Sequence, residues 1–384
     1  MKIGMIAPYD WNYPGGVREH VRHLTAEFIK MGQEVHILAP ASRMEGPLTE
    51  GNISSMGGTV PIPINGSIAR ISLNPLLGPT VRQVLQREQF DVMHFHEPLL
   101  PGFPWMALRF SRTLTVGTFH AYARFAPLST PALAYACGRP LLRPSFHRLN
   151  GRIAVSLAAY RFVSRFFEGD YRIIPNGFDL DTFHPFVPPF PHLMDGKRNV
   201  LFVGRLEKRK GATYLLNALP AIRAQCPETR FLFVGEGSLR RGLQHLVKRH
   251  GWHDVLFPGY VPTEDLPRYF ASAHVFCAPA IGGESMGIVL LEAMASGTPV
   301  IATAIEGYTT VVHDGENGLL AAPRDASSLA RALGHLLTHE ALRQRLIATG
   351  LQAVRAYAWP NVANQVFAYY RELLTAQSIS PSKG

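Results

Sequence analysis

The chain has 384 residues, enough for two domains of ordinary size, and its 47% hydrophobic and 17% charged residues exclude an intrinsically disordered protein. Its cysteines, Cys137, Cys226 and Cys277, stand far apart and are odd in number, so neither a disulfide framework nor a metal-type spacing is indicated, and we expect a reducing cytosol. The apolar N-terminus is too short for a signal peptide and no run of eighteen apolar residues occurs, so we expect no membrane-spanning segment.

Short apolar strands alternate with helical patterns through the first half of the chain, which predicts a parallel α/β domain. The first strand leads into Gly15-Gly16 and a helix predicted over Val17–Met31. Two glycines before a helix N-terminus let the backbone approach a ligand closely, although an ordinary strand–helix turn also favours glycine. The strands of this half are predicted near Ile3–Ala7, Glu34–Ala39, Asp91–His96, Thr113–Phe119, Arg152–Ser156 and Arg172–Ile174.

Histidines stand at the carboxyl ends of two of these strands. His94 and His96 share one face of their strand and Glu97 faces the other way. No further histidine or carboxylate cluster completes a site in the sequence, so we expect no protein-held metal ion. His120 can hydrogen-bond a sugar hydroxyl or assist proton movement, and the alternative is a structural histidine packed under a loop.

The formal charge of +10 is unevenly distributed, because residues 98–167 contain no Asp or Glu. Arginines interleaved with aromatic side chains suit an anionic membrane surface. Nucleic acid is the rival partner, but no nucleic-acid-binding motif accompanies the segment, so we expect none. A third interpretation is that the arginines solvate ordinary helices or bind phosphates in a cleft. The segment contains Arg109, Arg112, Arg124, Arg139, Arg143, Arg148, Arg152, Arg161 and Arg165, with Phe103, Trp105, Phe110, Tyr122, Phe125, Tyr135 and Phe146.

A proline-rich stretch, Phe183–Pro191, is predicted to link a first domain over residues 1–183 to a second over residues 192–358. The second domain repeats the alternation of strand and helix, and a last helix is predicted around residues 359–376. The strands of this half are predicted near Val200–Val203, Arg230–Val234, Val255–Phe257, Val275–Ala278, Val300–Thr303 and Gly318–Leu320.

A basic loop follows the first strand of the second domain. Arg205 and Lys210 can bracket a diphosphate and stabilise the charge that builds on a leaving nucleotide, while the alternative is a solvated basic turn. Gly235 belongs to half of a dinucleotide fingerprint and predicts room for a nucleotide beside the backbone. Val261, in the segment 259–262, is predicted to border the base.

Two carboxylates, Glu284 and Glu292, lie eight residues apart near a predicted helix over Ser285–Ser296. Ser285 is the predicted cap, and Gly297-Thr298-Pro299 ends the helix. Glu284 would therefore stand at the helix mouth, where free N–H groups suit a phosphate or a sugar hydroxyl, and Glu292 about two turns further along. The alternative is a loop carboxylate followed by an ordinary helical glutamate.

The Glu284–Glu292 segment resembles the E-x7-E signature of retaining glycosyltransferases of the GT-B fold, in glycosyltransferase family 4 (group 1), among them sucrose-phosphate synthases, glycogen synthases and mannosyltransferases. Nearly the whole chain is similar to the phosphatidylinositol mannosyltransferases. The motifs that carry this similarity are Pro8-Tyr9, Pro14-Gly15-Gly16-Val17, Asn65-Gly66-Ser67-Ile68-Ala69-Arg70, His96-Glu97-Pro98, Thr118-Phe119-His120, Pro175-Asn176-Gly177, Arg205, Arg209-Lys210-Gly211 and Gly283-Glu284-Ser285.

The resemblance implies two facing Rossmann-like doubly wound domains, with residues 359–384 crossing back to pack on the first domain. It implies transfer of a hexose, most simply mannose from GDP-mannose, to a lipid such as phosphatidylinositol. By position, it implies catalytic roles for His120, Arg205, Lys210 and Glu284. It implies donor contacts with Gly15, Gly16, Arg205, Lys210, Gly235, Val261, Glu284, Ser285, Met286, Gly287, Ile288 and Glu292, and acceptor contacts with Tyr9, Asn12, Arg70 and His120.

Both glutamates belong to donor binding in this interpretation, so we expect front-face transfer without a covalent glycosyl-enzyme. No tightly bound cofactor is expected, and Mg²⁺ can accompany the donor diphosphate. The expected location is cytoplasmic, peripheral to the inner face of the cell membrane. The alternatives are a UDP-hexose-dependent transferase of glycolipid or polysaccharide synthesis, a sugar-nucleotide epimerase, and a non-catalytic lipid- or nucleotide-binding protein.

Overall fold

A computed structural model of the chain describes residues 1–42, 52–64, 67–120 and 130–379. The chain divides into two compact units. The first comprises Met1–Gly177 with Trp359–Gly384, and the second comprises Phe178–Ala358.

The proline-rich stretch is part of the second unit rather than a linker before it. Phe183 is buried against Phe178 and Phe270, with ring centroids 5.5 Å and 5.9 Å away. The backbone N–H of Phe190 donates to Ser272 Oγ at 2.8 Å. The predicted boundary at residues 183–192 is therefore corrected to Gly177/Phe178, because aromatic side chains within the stretch anchor it to the second core.

The first unit alternates strands and helices, with a hairpin inserted after the third strand. Its elements are β1 (Lys2–Ile6), α1 (Gly16–Lys30), β2 (Glu34–Ala39), β3 (Asn52–Ser55), β4 (Val60–Ile64), β5 (Ser67–Ile71), α2 (Gly78–Glu88), β6 (Val92–His96), α3 (Phe103–Phe110), β7 (Leu114–Phe119), α4 (Thr130–Phe146), β8 (Gly151–Ala154), α5 (Leu157–Val163) and β9 (Arg172–Ile173).

Among the described residues of this unit, seven parallel strands form one sheet in the order β3-β2-β1-β6-β7-β8-β9. The chain order reverses direction between β1 and β6, which makes their carboxyl ends the topological switch point where open α/β sheets bind ligands. Strands β4 and β5 form a separate antiparallel hairpin. Sequence patterning missed this hairpin because Pro61 and Pro63 remove ladder donors and argue against a strand.

The second unit contains a second alternating series of strands and helices. Its elements are β10 (Arg198–Val203), α6 (Ala212–Gln225), β11 (Thr229–Val234), α7 (Arg240–Arg249), β12 (Val255–Gly259), α8 (Leu266–Ala271), β13 (Val275–Ala278), α9 (Ile288–Ala295), β14 (Val300–Thr303), β15 (Leu319–Ala321), α10 (Ala326–Thr338) and α11 (Glu340–Ala353).

The described strands of the second unit form one parallel sheet in the order β12-β11-β10-β13-β14-β15, with its switch point between β10 and β13. Its central strands are apolar on both faces, as parallel strands covered by helices on both sides must be. Both units are thus doubly wound α/β sheets, which confirms the predicted fold class.

The last helix, α12 (Trp359–Ile379), belongs to the first unit and packs on α1. The Tyr370 ring lies 5.7 Å from Phe28 of α1, and Trp359 stacks on His23 at 5.1 Å. None of the helices in the described ranges is both long and apolar enough to cross a membrane.

In the described part of the arginine-rich segment, most arginines are exposed, whereas several of the aromatic rings that the sequence placed beside them pack inward. Phe103 and Phe146 are buried in the core of the first unit, and Trp105 donates its indole N–H to Ser145 Oγ at 2.5 Å. These aromatic rings pack into the first unit because the helices that carry them lie on the sheet. Arg124, Tyr122 and Phe125 lie outside the described residues. The exposed arginines of the segment are Arg109, Arg112, Arg139, Arg143, Arg148, Arg161 and Arg165.

Candidate active site

In the second unit, the predicted donor residues gather after β10 and β13, the two strands of its switch point. A single 3-10 turn, Lys208–Lys210, follows β10, and α9 follows β13 after a glycine-rich loop. Because the carboxyl ends of adjacent parallel strands meet at one edge of the sheet, residues far apart in sequence come into contact there.

Opposite charges alternate through this contact. Lys210 Nζ lies 2.8 Å from Glu284 Oε1, and Arg209 Nη1 contacts the same oxygen. Glu207 forms two further ion pairs, with Arg205 at 3.1 Å and with Arg209 at 3.5 Å. Three cations and two carboxylates leave the cluster with one positive charge, which suits an anionic ligand.

The structure therefore places the predicted partners Lys210 and Glu284 together, but it does not bring Arg205 to Glu284. Arg209, which the sequence assigned no role of its own, takes that position instead. A Lys and an Arg on one carboxylate oxygen hold that carboxylate in a fixed orientation, since charge-assisted hydrogen bonds are short and directional.

Helix α9 begins later than the sequence predicts. It starts at Ile288 and its N-terminal cap is Gly287, with φ +80°, so Ser285 does not cap it. The left-handed backbone at Gly287 is available to glycine, and a Cβ there would stand 2.5 Å from the Tyr308 ring. Glu292 is accordingly little more than one turn into the helix rather than two turns beyond its start.

Glu292 is half-buried and lies near the cation of Lys210. Burial raises the pKa of Glu292 to about 7, while the Lys210 charge acts in the opposite direction. The remaining predicted residues of this segment differ in access: the Met286 side chain is buried in the core, Ser285 is half-buried and Ile288 is exposed. Met286 can therefore reach a ligand only through its backbone.

Gly235 follows β11 with φ +128°, and a Cβ there would lie 2.1 Å from the carbonyl oxygen of Gly204. Glycine is therefore required at position 235 because two backbone segments approach each other closely there, whether or not a nucleotide binds. Val261 is half-buried and packs against the core of the same unit. Both lie in the unit that carries the charged cluster.

In the first unit, histidines gather at the carboxyl end of the sheet. His96 ends β6, His120 follows β7, and His20 lies in α1. One ring nitrogen of each lies within 4.8 Å of the other two. The sequence did not predict that His20 and His120 lie beside His96, because α1 and β7 bring their histidines to this point only through the fold.

Polar contacts orient these three rings. A hydrogen bond of 3.0 Å joins His96 Nδ1 and His120 Nε2, and one of 2.9 Å joins His20 Nδ1 and Asn176 Oδ1. The His120 backbone N–H donates to Glu97 Oε1 at 2.7 Å. His120 is half-buried, whereas His20 and His96 are buried.

A fourth histidine, His94, extends the cluster away from the sheet edge. Its Nε2 lies 2.6 Å from Thr118 Oγ1 and its Nδ1 lies 2.5 Å from the Tyr370 hydroxyl. Its ring stacks on His96, with centroids 4.5 Å apart. The C-terminal helix thereby takes part in holding the histidines of the sheet.

Burial lowers the pKa of all four imidazoles. The pKa falls to about 4 for His20 and to about 3 for His94, and it lies well below the ordinary value of 6.5 for His96 and His120. Neighbouring imidazoles add to the depression, because two adjacent cations in a buried site repel each other. The cluster is therefore neutral at physiological pH.

The loop between β1 and α1 carries the predicted donor glycines. Gly15 and Gly16 are exposed, and a Cβ on either would meet nothing within 4 Å. Packing within the first unit therefore does not require glycine at positions 15 and 16. Close approach of a ligand to the backbone is the remaining reason for glycine there.

The predicted acceptor residues share this loop with the β4–β5 hairpin. Tyr9 forms a β-bridge with Ile71, and the Arg70 guanidinium lies 3.9 Å above the Tyr13 ring. Asn12 is exposed at the same loop. Asn65 and Gly66, which belong to the quoted motif, lie outside the described residues.

Sequence reasoning missed a buried carboxylate in this loop. Asp10 accepts hydrogen bonds from Thr59 Oγ1 at 2.6 Å and from the backbone N–H of Ser42 at 3.1 Å. These hydrogen bonds lower its pKa despite the opposing effect of burial. The position of Asp10 directly after the first strand was the signal that could have found it. Asn176, which contacts His20, was likewise given no role, although it stands in a quoted motif.

Comparison with known proteins adds a family to this geometry. The model for glycosyl transferases group 1 matches residues 189–353, and the model for glycosyltransferase family 4 matches residues 14–182. The chain is 40% identical to the phosphatidyl-myo-inositol mannosyltransferase of Mycobacterium leprae over 384 residues, which cover 98% of each chain. It is 39% identical to the protein of that name from Mycobacterium tuberculosis over 96% of each chain.

Solved structures are similar in fold. The sucrose-phosphate synthase of Thermosynechococcus elongatus matches with a TM-score of 0.72 over 98% of this chain and 100% of its own, at 23% sequence identity. The two tandem doubly wound sheets are therefore an architecture that known glycosyltransferases also adopt.

Proposed function

The chain belongs to the group 1 glycosyltransferases and, within them, to the phosphatidyl-myo-inositol mannosyltransferases, and from this premise we propose that it transfers a mannosyl group from GDP-mannose to a phosphatidylinositol lipid. The observation that carries the proposal is 40% identity along nearly the full length of both chains. Likeness of this extent includes both units and leaves no separate module to account for.

The charged cluster of the second unit supports a role in holding the donor. Lys210 and Arg209 are positioned by Glu284, and their positive charge suits a diphosphate that becomes more negative as the sugar leaves. We assign the diphosphate to Arg205 and Lys210 and the hydroxyls of the transferred sugar to Glu284. Glu292 is assigned to the ribose.

The half-buried His120 supports a role beside the transferred sugar. Its ring is fixed by His96 and its backbone by Glu97, so one imidazole edge is held in a defined orientation at the carboxyl end of β7. A neutral imidazole can both donate to and accept from sugar hydroxyls. Tyr9, Asn12 and Arg70 are assigned to the acceptor.

The proposed chemistry retains the anomeric configuration. The bond from the anomeric carbon to the diphosphate oxygen breaks, and the bond to the acceptor hydroxyl oxygen forms on the same face of the ring. The acceptor proton passes to the departing diphosphate, whose charge Arg205 and Lys210 stabilise. Mg²⁺ accompanies the diphosphate in this proposal, and no resident cofactor is involved.

A lipid acceptor places the protein at a membrane surface, and we propose that it attaches peripherally to the inner face of the cell membrane. The exposed arginines of α4, Arg139 and Arg143, support this, because each cation near an anionic surface contributes about 1 kcal/mol of attraction. Because Phe103 and Phe146 are packed in the core, the proposed attraction is electrostatic and should weaken with salt.

The test is a transfer assay with two labelled donors and two anionic lipids. GDP-mannose or UDP-glucose is incubated with vesicles that contain phosphatidylinositol or, at equal surface charge, phosphatidylglycerol. We expect label to move only from GDP-mannose into phosphatidylinositol, and the product anomer to be α by nuclear magnetic resonance.

Transfer from UDP-glucose would overturn the donor assignment, and label in phosphatidylglycerol would overturn the inositol acceptor. A glycosylated enzyme side chain, trapped in the absence of acceptor, would contradict front-face transfer. Product formed from the donor alone would favour an epimerase.

A further inference from the structure

Three imidazoles from separate elements of the first unit converge on one point. One ring nitrogen from each of His20, His96 and His120 lies within 4.8 Å of the other two. We propose that these three nitrogens form a binding site for one Zn²⁺ ion. The proposal rests on the geometry of the cluster and does not depend on the proposed function.

The distances fit a single ion. Two nitrogens bound to one tetrahedral zinc at 2.0–2.1 Å stand about 3.3 Å apart. His96 Nδ1 and His120 Nε2 are already 3.0 Å apart. The widest separation in the group, which involves His20, has to close by at most about 1.5 Å.

The ligand set selects the kind of ion. Three neutral imidazoles with a fourth position open are a common zinc arrangement, whereas Mg²⁺ and Ca²⁺ require oxygen ligands. His120 is the half-buried member, so it gives the ion a route to the cluster from solvent.

Two further contacts are those that a metal site needs. Asn176 Oδ1 lies 2.9 Å from His20 Nδ1, and a hydrogen bond of this kind orients a ligating imidazole and raises its basicity. His96 is fully buried, and its Nδ1 faces His120 Nε2 at 3.0 Å. Its other nitrogen, Nε2, has no hydrogen-bond partner among the residues that the structure describes, so Nε2 can carry the ring proton while Nδ1 offers its lone pair to the ion.

Metal titration of the full-length protein tests the site. After treatment with a chelator and its removal, the protein is titrated with Co²⁺ in the visible range and with Zn²⁺ by calorimetry. We expect one ion per chain, a visible Co²⁺ band of four-coordinate geometry that Zn²⁺ abolishes, and no binding of Mg²⁺ at equal concentration. Absence of a saturable Zn²⁺ site would overturn the proposal without any variant.

Variants locate the ion. His20→Gln and His120→Gln should each weaken Zn²⁺ binding by at least about tenfold. The control is the double variant His335→Ala/His339→Ala, which removes an exposed histidine pair with rings 4.3 Å apart, and it should keep the tight site. Equal affinity in wild type and His120→Gln, or loss of binding in the control, would place the ion elsewhere. Should His20→Gln unfold, the half-buried His120→Gln still decides the question.

Zinc bound to His120 would hold the imidazole that the proposed function places beside the transferred sugar. On that assignment, one equivalent of Zn²⁺ should inhibit transfer, and a chelator should restore it. Binding without inhibition would leave the metal site in place and remove His120 from the sugar contacts, so failure of one assignment is distinguishable from failure of the other.

Discussion

In the first unit, four imidazoles gather around the carboxyl ends of β6 and β7 and burial keeps them neutral, whereas in the second unit cations and carboxylates form ion pairs beyond β10 and β13. Both clusters stand at the switch point of a doubly wound sheet. The same topological position therefore supports two electrostatic environments. A neutral polar cluster acts through hydrogen bonds, and a charged cluster acts on charge that changes during reaction.

If this contrast holds, removing a cation from the second unit should affect activity far more than stability. We expect Lys210→Ala to lower kcat/KM for transfer by about 10²–10³-fold, because the residue would no longer stabilise the leaving diphosphate. The control is Lys208→Ala on the same 3-10 turn, where the side chain is exposed, and its kcat/KM should stay near wild type. Equal losses in the two variants would mean that general basicity of the turn matters rather than the Glu284 contact.

Glu292, the half-buried carboxylate near the charged loop, gives a pH test. The pKa of Glu292 is about 7 in the folded protein against an ordinary value of 4.5, so between these values the unfolded chain has released a proton that the folded chain keeps. The contribution of Glu292 to stability is therefore fully present below pH 4.5 and is lost as pH rises through 7, by about 3 kcal/mol. Because the buried histidines change stability with pH in both proteins, the loss is measured as the difference in free energy of unfolding between wild type and Glu292→Gln, from urea denaturation between pH 4.5 and 8.

The exposed Glu264→Gln is the matched control for that profile, and it should follow wild type. Should Glu292→Gln instead track wild type across the range, Glu292 would be ionised throughout and the burial argument would fail.

The two regions also differ in how far the sequence reveals them. Strands such as Val275–Ala278 and Val300–Thr303 were predicted with the bounds that the structure has, because short apolar runs between turns indicate parallel strands. The charged loop was predicted in part, since Arg205 and Lys210 follow a strand, but the contact of Arg209 with Glu284 was not. The resemblance to the family, carried by short motifs, is confirmed along the whole chain.

The histidine cluster could not be predicted from the sequence, because its members come from three elements that only the fold brings together. His20 lies in a helix with ordinary periodicity, and nothing in that periodicity points to His96. The prediction of where α9 starts was wrong for another reason. Gly287 has a left-handed backbone and lies close to Tyr308, and that tertiary contact cannot be read from the local sequence. Likewise, proline content favoured a linker at Phe183–Pro191, while burial of Phe183 decides otherwise.

A smaller effect separates ligand contact from fold within the first unit. Gly16 is the first residue of α1 and a Cβ there meets nothing within 4 Å, so Gly16→Ala should leave stability unchanged or raise it by up to about 1 kcal/mol. If the glycine serves a ligand, kcat/KM should nevertheless fall by at least about tenfold, which is about 1.4 kcal/mol of transition-state stabilisation. Gly242→Ala in α7, also without a neighbour within 4 Å, should gain stability and keep full activity. Unchanged activity in Gly16→Ala would assign the glycine to the turn alone.

The smallest expected effect tests whether hydrogen bonds hold the neutral cluster. Tyr370→Phe removes the hydroxyl 2.5 Å from His94 Nδ1 and leaves that buried nitrogen unsatisfied, so we expect the free energy of unfolding of the first unit to fall by about 1–2 kcal/mol. Urea denaturation followed by circular dichroism measures the change, with Tyr13→Phe at an exposed ring as the control within about 0.5 kcal/mol of wild type. Because Tyr370 belongs to the first unit and the proposed donor residues Arg205, Lys210 and Glu284 to the second, KM for the donor should not change. A loss of stability equal to the control would mean that ring stacking, not hydrogen bonding, fixes the imidazoles.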